Sequence, residues 1–306
     1  MTWAPEPDFD LAPTVDALPD LPRYFPLASG RYEVRPGFMP LTESVFTGDR
    51  TLGCYTKSKK ILLAQREPHC YREQNLAAVV RLAVSQWLAR RLAEEHPQRF
   101  GVRDGALINL VSGQSFGVTE PSFLRRAGQE VAEDLAVIQI EGDHHWLSLL
   151  HVCFPSGWRV ADKIGRTFAA IHAPVAGMTP LNRKEHQIVR AMVTKPPMVR
   201  FTWGLTGDRH LNHDPDFYQP ILPPPHYYLR VERQVIWGLP DVQAAVFTIR
   251  TYLRDCLGLN PQEQLLLYRA IATMDTPSCA YKSIDRQHVL QWLQQNADVS
   301  IPLSPP

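Results

Sequence analysis

Cysteine is scarce in this 306-residue chain: Cys54, Cys70, Cys153, Cys256 and Cys279 are scattered and include no CxxC pair. Zinc and iron–sulfur centres favour closely spaced cysteines, so neither is supported, and the thiols read as reduced packing residues. Excess charge of either sign is also missing. Lys and Arg total 32 against 31 Asp and Glu, a formal net charge of +1, so no bulk positive field exists to attract nucleic acid. No apolar run approaches the roughly 18 residues that suggest a membrane-spanning helix. GxSxG, GxxxxGK[ST] and GxGxxG are all absent, which argues against a nucleophile elbow, a P-loop and a Rossmann dinucleotide site. The string LVSGQSFG (Leu110–Gly117) contains glycine but fits none of these patterns. The start, MTWAPEPDFD, is acidic and proline-containing, unlike a secretory leader, so a cytoplasmic location is expected.

What is present is a folding composition. Hydrophobic residues make up 44% and charged residues 21%, too apolar and too balanced for a disordered chain. Proline is abundant at 27 residues and clustered: Pro5 to Pro40, Pro215 to Pro225, and the tail Pro302, Pro305 and Pro306. Such runs cannot enter helices or central strands because they lack the N–H donor.

Apolar spacing predicts a helix over Glu73–Glu95, with Leu76, Val79, Val80, Ala83, Trp87 and Leu88 on one face, and a weaker one over Ser122–Glu133. From about Leu135 the period becomes two. Strands are expected at Ala136–Ile140 and Trp146–Phe154 around the turn Glu141-Gly142-Asp143, then at Val199–Leu205, Tyr228–Trp237 and Ala244–Leu253. A helix over Val160–His172 separates the second and third strands, and helices around Pro261–Thr273 and Ile284–Asn296 follow the last. The fold class is α+β: a five-stranded antiparallel sheet with helices on one face, compatible with a PAS-like fold. Three regions follow: residues 1–134 as an irregular and helical wrap, 135–256 as the core, and 257–306 as C-terminal helices and tail.

Several residues could carry chemistry. His172 falls on the apolar face of its predicted helix with Phe168 and Ile164. Two readings stand: a buried histidine bonded to a carbonyl, or an axial ligand to haem iron, which needs a neutral imidazole in an apolar setting. His144 and His145 point to opposite faces of a strand, so they are poorly placed to share a metal. His210 and His213 form a weak HxxH signal in a loop. Arg230, Glu232 and Gln234 are expected to lie beside Thr248, Arg250 and Tyr252 as one polar stripe. That stripe is either the solvated side of a sheet or a pocket wall binding a cation at Glu232 and an anion at an arginine. Arg166 and Arg200 are further anion-binding candidates.

Three strings share a resemblance: EGDHHWLSLLHVCFPSGWRVADKIGRTFAAIHAPVAG (Glu141–Gly177), RFTWGL (Arg200–Leu205) and LRVERQVIWGLPDVQAAVFTIRTYL (Leu229–Leu253). In content and order they resemble the haem-dependent oxidative N-demethylases, typified by the large subunit of dimethylamine monooxygenase. The likeness is close over residues 141–253 and looser over about 60–270. It implies a haem b-binding PAS-like domain that oxidises a small secondary amine with dioxygen and releases formaldehyde. It also implies electrons from NADPH through partner reductase subunits carrying FMN and a 2Fe-2S centre, and it leaves room for a tetrahydrofolate-binding partner. Carried onto this chain, IHAPV makes His172 the expected iron ligand. RVERQ marks Glu232 and Gln234 as substrate-handling residues. Arg166, Arg200 and Arg250 become candidates for the haem propionates. Thr202 stands where the family commonly has Asn before the tryptophan, and the Asp208–Pro225 loop can reshape the pocket mouth. Two alternatives stay open: a haem-binding gas or redox sensor without turnover, and a haem-free interaction protein of the same fold.

Overall fold

Period-two stretches of β-branched and aromatic residues dictate the centre of the protein. The computed structural model describes residues 10–18 and 20–297; the tail prolines, Pro5 and most of the opening segment lie outside them. The strands are β1 (Met39–Pro40), β2 (Tyr71–Glu73), β3 (Phe100–Arg103), β4 (Ala106–Asn109), β5 (Ser115–Gly117), β6 (Asp134–Glu141), β7 (His144–His151), β8 (Met198–Thr206), β9 (Tyr228–Leu239) and β10 (Ala244–Asp255). The helices are α1 (Leu52–Cys70), α2 (Ala78–Glu95), α3 (Phe123–Ala127), α4 (Val160–Lys163), α5 (Phe168–His172), α6 (Thr179–Asn182), α7 (Glu185–Thr194), α8 (Pro261–Ala272), α9 (Thr276–Tyr281) and α10 (Arg286–Asn296).

The main sheet is antiparallel with seven strands, ordered β1-β8-β9-β10-β6-β7-β2. It contains the five expected strands and is widened by β1 and β2 from the N-terminal region. Pro40 is accommodated because β1 is an edge strand, where a missing N–H costs no ladder bond. A separate three-stranded sheet, β3-β4-β5, accounts for the LVSGQSFG string as a turn closed by Gly113 at φ 73°.

Helices cover both faces of the large sheet, not one. Adjacent residues of a strand point to opposite faces. Val235 packs in the cluster holding Val80, Val84, Trp87 and Leu88 of α2. Its neighbour Ile236 packs with Phe168 of α5 and Val189, Met192 and Val193 of α7. On the α2 side, Leu229, Val231 and Tyr252 also meet α8 and α10 through Leu267, Ile271, Val289 and Trp292.

Several boundaries moved for identifiable reasons. The α2 helix starts five residues late because Tyr71–Glu73 pairs with β7 and Asn75 turns the chain at φ 51°. Its buried stripe is Val80, Val84, Trp87 and Leu88, while Val79 is 61% exposed. The predicted strand Trp146–Phe154 stops at His151 because the Asp134 carboxylate takes the N–H groups of Cys153 and Phe154 at 3.0 and 2.8 Å. The single helix expected over Val160–His172 is two short ones. Gly165 breaks it at φ +73°, where an added Cβ would lie 2.4 Å from Gln74 Oε1. There the chain is pinned to β7, with Gly165 N–H donating to Leu147 O and Leu147 N–H to Arg166 O.

Candidate functional site

The short helix α5 exists because its ends are held by other elements. Five residues cannot sustain a helix alone. Its free N–H groups are taken in turn: Phe168 N–H donates to His145 Nε2 at 3.0 Å, Ala169 N–H to Glu185 Oε2 at 2.7 Å, and Ala170 N–H to Thr167 Oγ1 at 3.3 Å. Lys163 Nζ donates to Ile171 O at the other end. His145 is therefore a positioning residue, buried on β7, while His144 is exposed.

His172 ends this helix. A carbonyl can only accept, so the 2.8 Å contact between Nδ1 and Phe168 O puts the proton on Nδ1. The ring lies 4.2 Å from the Phe168 ring. Burial pushes the imidazole down to about 4, with Arg200 and Lys163 adding to the shift and the Phe168 carbonyl opposing it. At neutral pH the ring is uncharged and Nε2 carries a free lone pair. A metal-ligating imidazole needs this arrangement, with the second nitrogen fixed by a backbone carbonyl.

The sheet face beneath α5 supplies the rest. Opposed residues of paired strands share a face. The registers Arg200↔Gln234, Thr202↔Glu232, Ile249↔Gln234 and Phe247↔Ile236 therefore place Arg200, Thr202, Glu232, Gln234, Phe247 and Ile249 together. Phe247 and Ile236 join Phe168 and Ile171 in one apolar cluster. From Ala244 to Arg254, only Phe247 and Ile249 of β10 are half-buried, and from Leu229 to Ile236 only Glu232 of β9 is. The middle of a seven-stranded sheet thus keeps a shelf with partial solvent access on this face.

Glu232 is held from three sides. Gln234 Nε2 donates to its Oε2 at 3.0 Å and Thr202 Oγ1 at 3.3 Å, while Arg230 Nε lies 3.6 Å from Oε1. Arg200 Nε donates to Gln234 Oε1 at 2.7 Å. Burial lowers the Arg200 guanidinium to about 10, opposed by Glu232, so it stays a cation at neutral pH. Burial also lowers the Lys282 ammonium, opposed again by Glu232. The C-terminal helices therefore reach this corner through α9, a contribution that nothing in the strand pattern announced.

The expected single stripe is corrected. Thr248, Arg250 and Tyr252 lie on the opposite face from Glu232, because Arg250 pairs with Arg233 and Thr251 with Glu232. Arg250 is 1% exposed and is held there by Thr51 Oγ1 at 2.7 Å, Asp49 Oδ2 at 3.2 Å and the Tyr55 ring at 3.6 Å. It is not assembled with His172. Arg166 is exposed on the α4–α5 connection. His210 and His213 do not act as a pair. His210 Nδ1 meets Asp10 Oδ1 at 2.7 Å, and His213 stacks on Tyr218 at 4.0 Å with Nε2 3.6 Å from Asp208.

Burial lowers four histidines, His145, His151, His172 and His213, with His151 down to about 3. In the unfolded chain they protonate near pH 6.5. Below that pH the unfolded state binds protons that the native state refuses, so stability falls on acidification. The fall starts near pH 6.5 and, for His151 and His172, runs toward pH 4 at roughly 1.4 kcal/mol per pH unit for each of the two, with His145 and His213 adding to it in the same direction. Burial acts oppositely on Asp134, raising it, but four groups outweigh one. The urea midpoint should drop clearly between pH 7 and pH 5; an unchanged midpoint would mean these rings are not buried and neutral.

Among the described residues no helix is long and apolar enough to cross a membrane. The family described as "haem-dependent oxidative N-demethylase, alpha subunit-like" matches residues 39–290, and the chain belongs to it.

Proposed function

We propose, from that membership, that this chain binds haem and substrate in a monooxygenase that oxidatively demethylates a small secondary amine such as dimethylamine. The observation that carries the reading is His172. Its Nδ1 proton is committed to Phe168 O, which leaves a neutral Nε2 free, and Arg200 is near enough for its charge to act on the ring. The donor set fits haem b: one neutral imidazole for the iron, one half-buried guanidinium for a propionate, and a half-buried apolar surface for the macrocycle. The hairpin β6–β7, the intervening helices α4 to α7 and the meander β8–β9–β10 support a PAS-like reading of the core.

In this reading His172 Nε2 would hold the iron and Arg200 would pair a propionate. Haem, when bound, supplies the activation of dioxygen with two electrons delivered from outside the chain. The balance is (CH3)2NH + O2 + 2 e⁻ + 2 H⁺ → CH3NH2 + CH2O + H2O. The protein's own part is orientation. Glu232 would accept from the substrate ammonium and orient its methyl groups. Gln234 and Thr202 hold the carboxylate by donating to one of its oxygens. Phe247 and Ile249 offer apolar contact to the methyl carbons. The alpha-subunit description supports further subunits. Reductase partners carrying FMN and a 2Fe-2S centre, fed by NADPH, would deliver the electrons, and a tetrahydrofolate-binding partner would accept formaldehyde.

The test is dioxygen-dependent formaldehyde release from dimethylamine by haem-loaded protein with an electron donor. Haem binding without turnover across a panel of methylamines would favour a sensor instead. Glu232→Gln keeps size and hydrogen bonding but removes the charge. A hydrogen bond to a charged group is worth about 1.5–3 kcal/mol, so kcat/KM should fall roughly 10- to 100-fold with an unchanged Soret band. Full activity in that variant would remove Glu232 from substrate binding.

A further inference from the structure

A second cluster lies outside the shelf, where the end of α1 meets the loop after β8. His69 Nδ1 is 3.5 Å from Asp214 Oδ2 and 3.7 Å from Asp216 Oδ2, and the three ligand atoms all lie within 4.8 Å of one another. These distances are too long for good hydrogen bonds. They are close to the separation between two ligands of one tetrahedral cation, about 3.3–3.6 Å for metal–ligand bonds of about 2.0–2.2 Å.

The other oxygen of each carboxylate is already committed. Asp216 N–H donates to Asp214 Oδ1 at 3.0 Å, and Arg159 Nε donates to Asp216 Oδ1 at 2.8 Å. Outer partners of this kind orient the ligands of metal sites. The independent observation is Asp214 itself. Its side chain is 1% exposed, and Oδ2, the oxygen turned toward His69, is buried without a hydrogen-bond partner. A buried carboxylate oxygen with no donor is costly unless something positive meets it. The other trio of comparable geometry, Asp134, His151 and Cys153, has its cation already: Lys59 Nζ is 3.2 Å from Asp134 Oδ1, and both Asp134 oxygens accept backbone N–H groups.

We propose that His69, Asp214 and Asp216 form a three-ligand site for a first-row divalent cation such as Zn²⁺, with the remaining position open to water. One imidazole and two carboxylates suit such an ion. Bound there, the cation fastens the Asp208–Pro225 loop to the end of α1. The site stands apart from the haem reading and is tested without activity.

The full chain, stripped with chelator and dialysed, is titrated with Zn²⁺ in a calorimeter. One equivalent should bind, and Zn²⁺ should raise the melting temperature. Loss of an outer partner costs about 10- to 100-fold in affinity, so loss of a ligand in His69→Ala or Asp216→Asn should weaken binding by about 100-fold or more. Both side chains are more than one-third exposed, so both variants should melt like the wild type in metal-free buffer. Absence of stoichiometric binding in the wild type, or an isotherm unchanged in both variants, overturns the proposal.

Discussion

Haem-loaded His172→Gly should lose its Soret band, and added imidazole should restore it. The variant should fold, because the imidazole gives α5 only its bond to Phe168 O and its contact with the Phe168 ring, while other residues hold both ends of the helix. The N-terminus of the helix is held by His145, Glu185 and Thr167, and its end by Lys163. A glycine in the last helical turn costs about 1 kcal/mol. The lost ring leaves a slot beside Phe168 that free imidazole can enter. Loss of an axial ligand should exceed the 10- to 100-fold of an outer partner, so haem affinity should fall by about 100-fold or more. A variant that keeps an unshifted Soret band would place the iron on another ligand.

Asp134→Ala should be the most damaging single change to stability, at about 3–5 kcal/mol in a urea titration at neutral pH. Asp134 and Lys59 form an ion pair whose side chains are 2% and 0% exposed. Lys59 Nζ also donates to Gly128 O and Glu133 O. Removing the carboxylate leaves a buried ammonium without its counter-charge and frees two backbone N–H groups, those of Cys153 and Phe154. Those bonds turn the chain out of β7 toward α4 and α5, so the damage should spread to the segment that carries His172. A cost below about 1 kcal/mol would mean that the pair is solvated or discharged.

The core strands were legible because their period-two pattern is strong and their turns carry glycine or proline. Each of the five expected strands appears within about three residues of its place. The α1 helix was not legible. Its buried side carries Thr56, Ser58 and Lys59 beside Leu62 and Leu63, so the apolar stripe that marks a helix is interrupted. The edge strands β1 and β2 span two and three residues, too few for any period. The break at Gly165 was written in the residue itself, since a glycine inside a helical pattern lowers confidence in the helix.

The site was half legible. Glu232, Gln234, Thr202 and Arg200 share a face as the strand alternation implies. Arg250 was misplaced by one step of parity. Leu239 pairs with Ala244 across four connecting residues, which always sets even positions of one strand against odd positions of the other. That rule would have put Phe247 and Ile249 beside Glu232. His145 could also have been found, because it shares parity with Leu147, a residue of the apolar cluster under α5. The approach of Lys282 to Glu232 depends on how α9 docks, and no local pattern encodes it.

The most direct measurement is an iron anomalous difference map from crystals of the haem-loaded chain. A single peak is expected beside His172 Nε2, on the sheet face that carries Thr202, Glu232 and Phe247. A peak on the opposite face beside Arg250, or on any other histidine, would contradict that expectation.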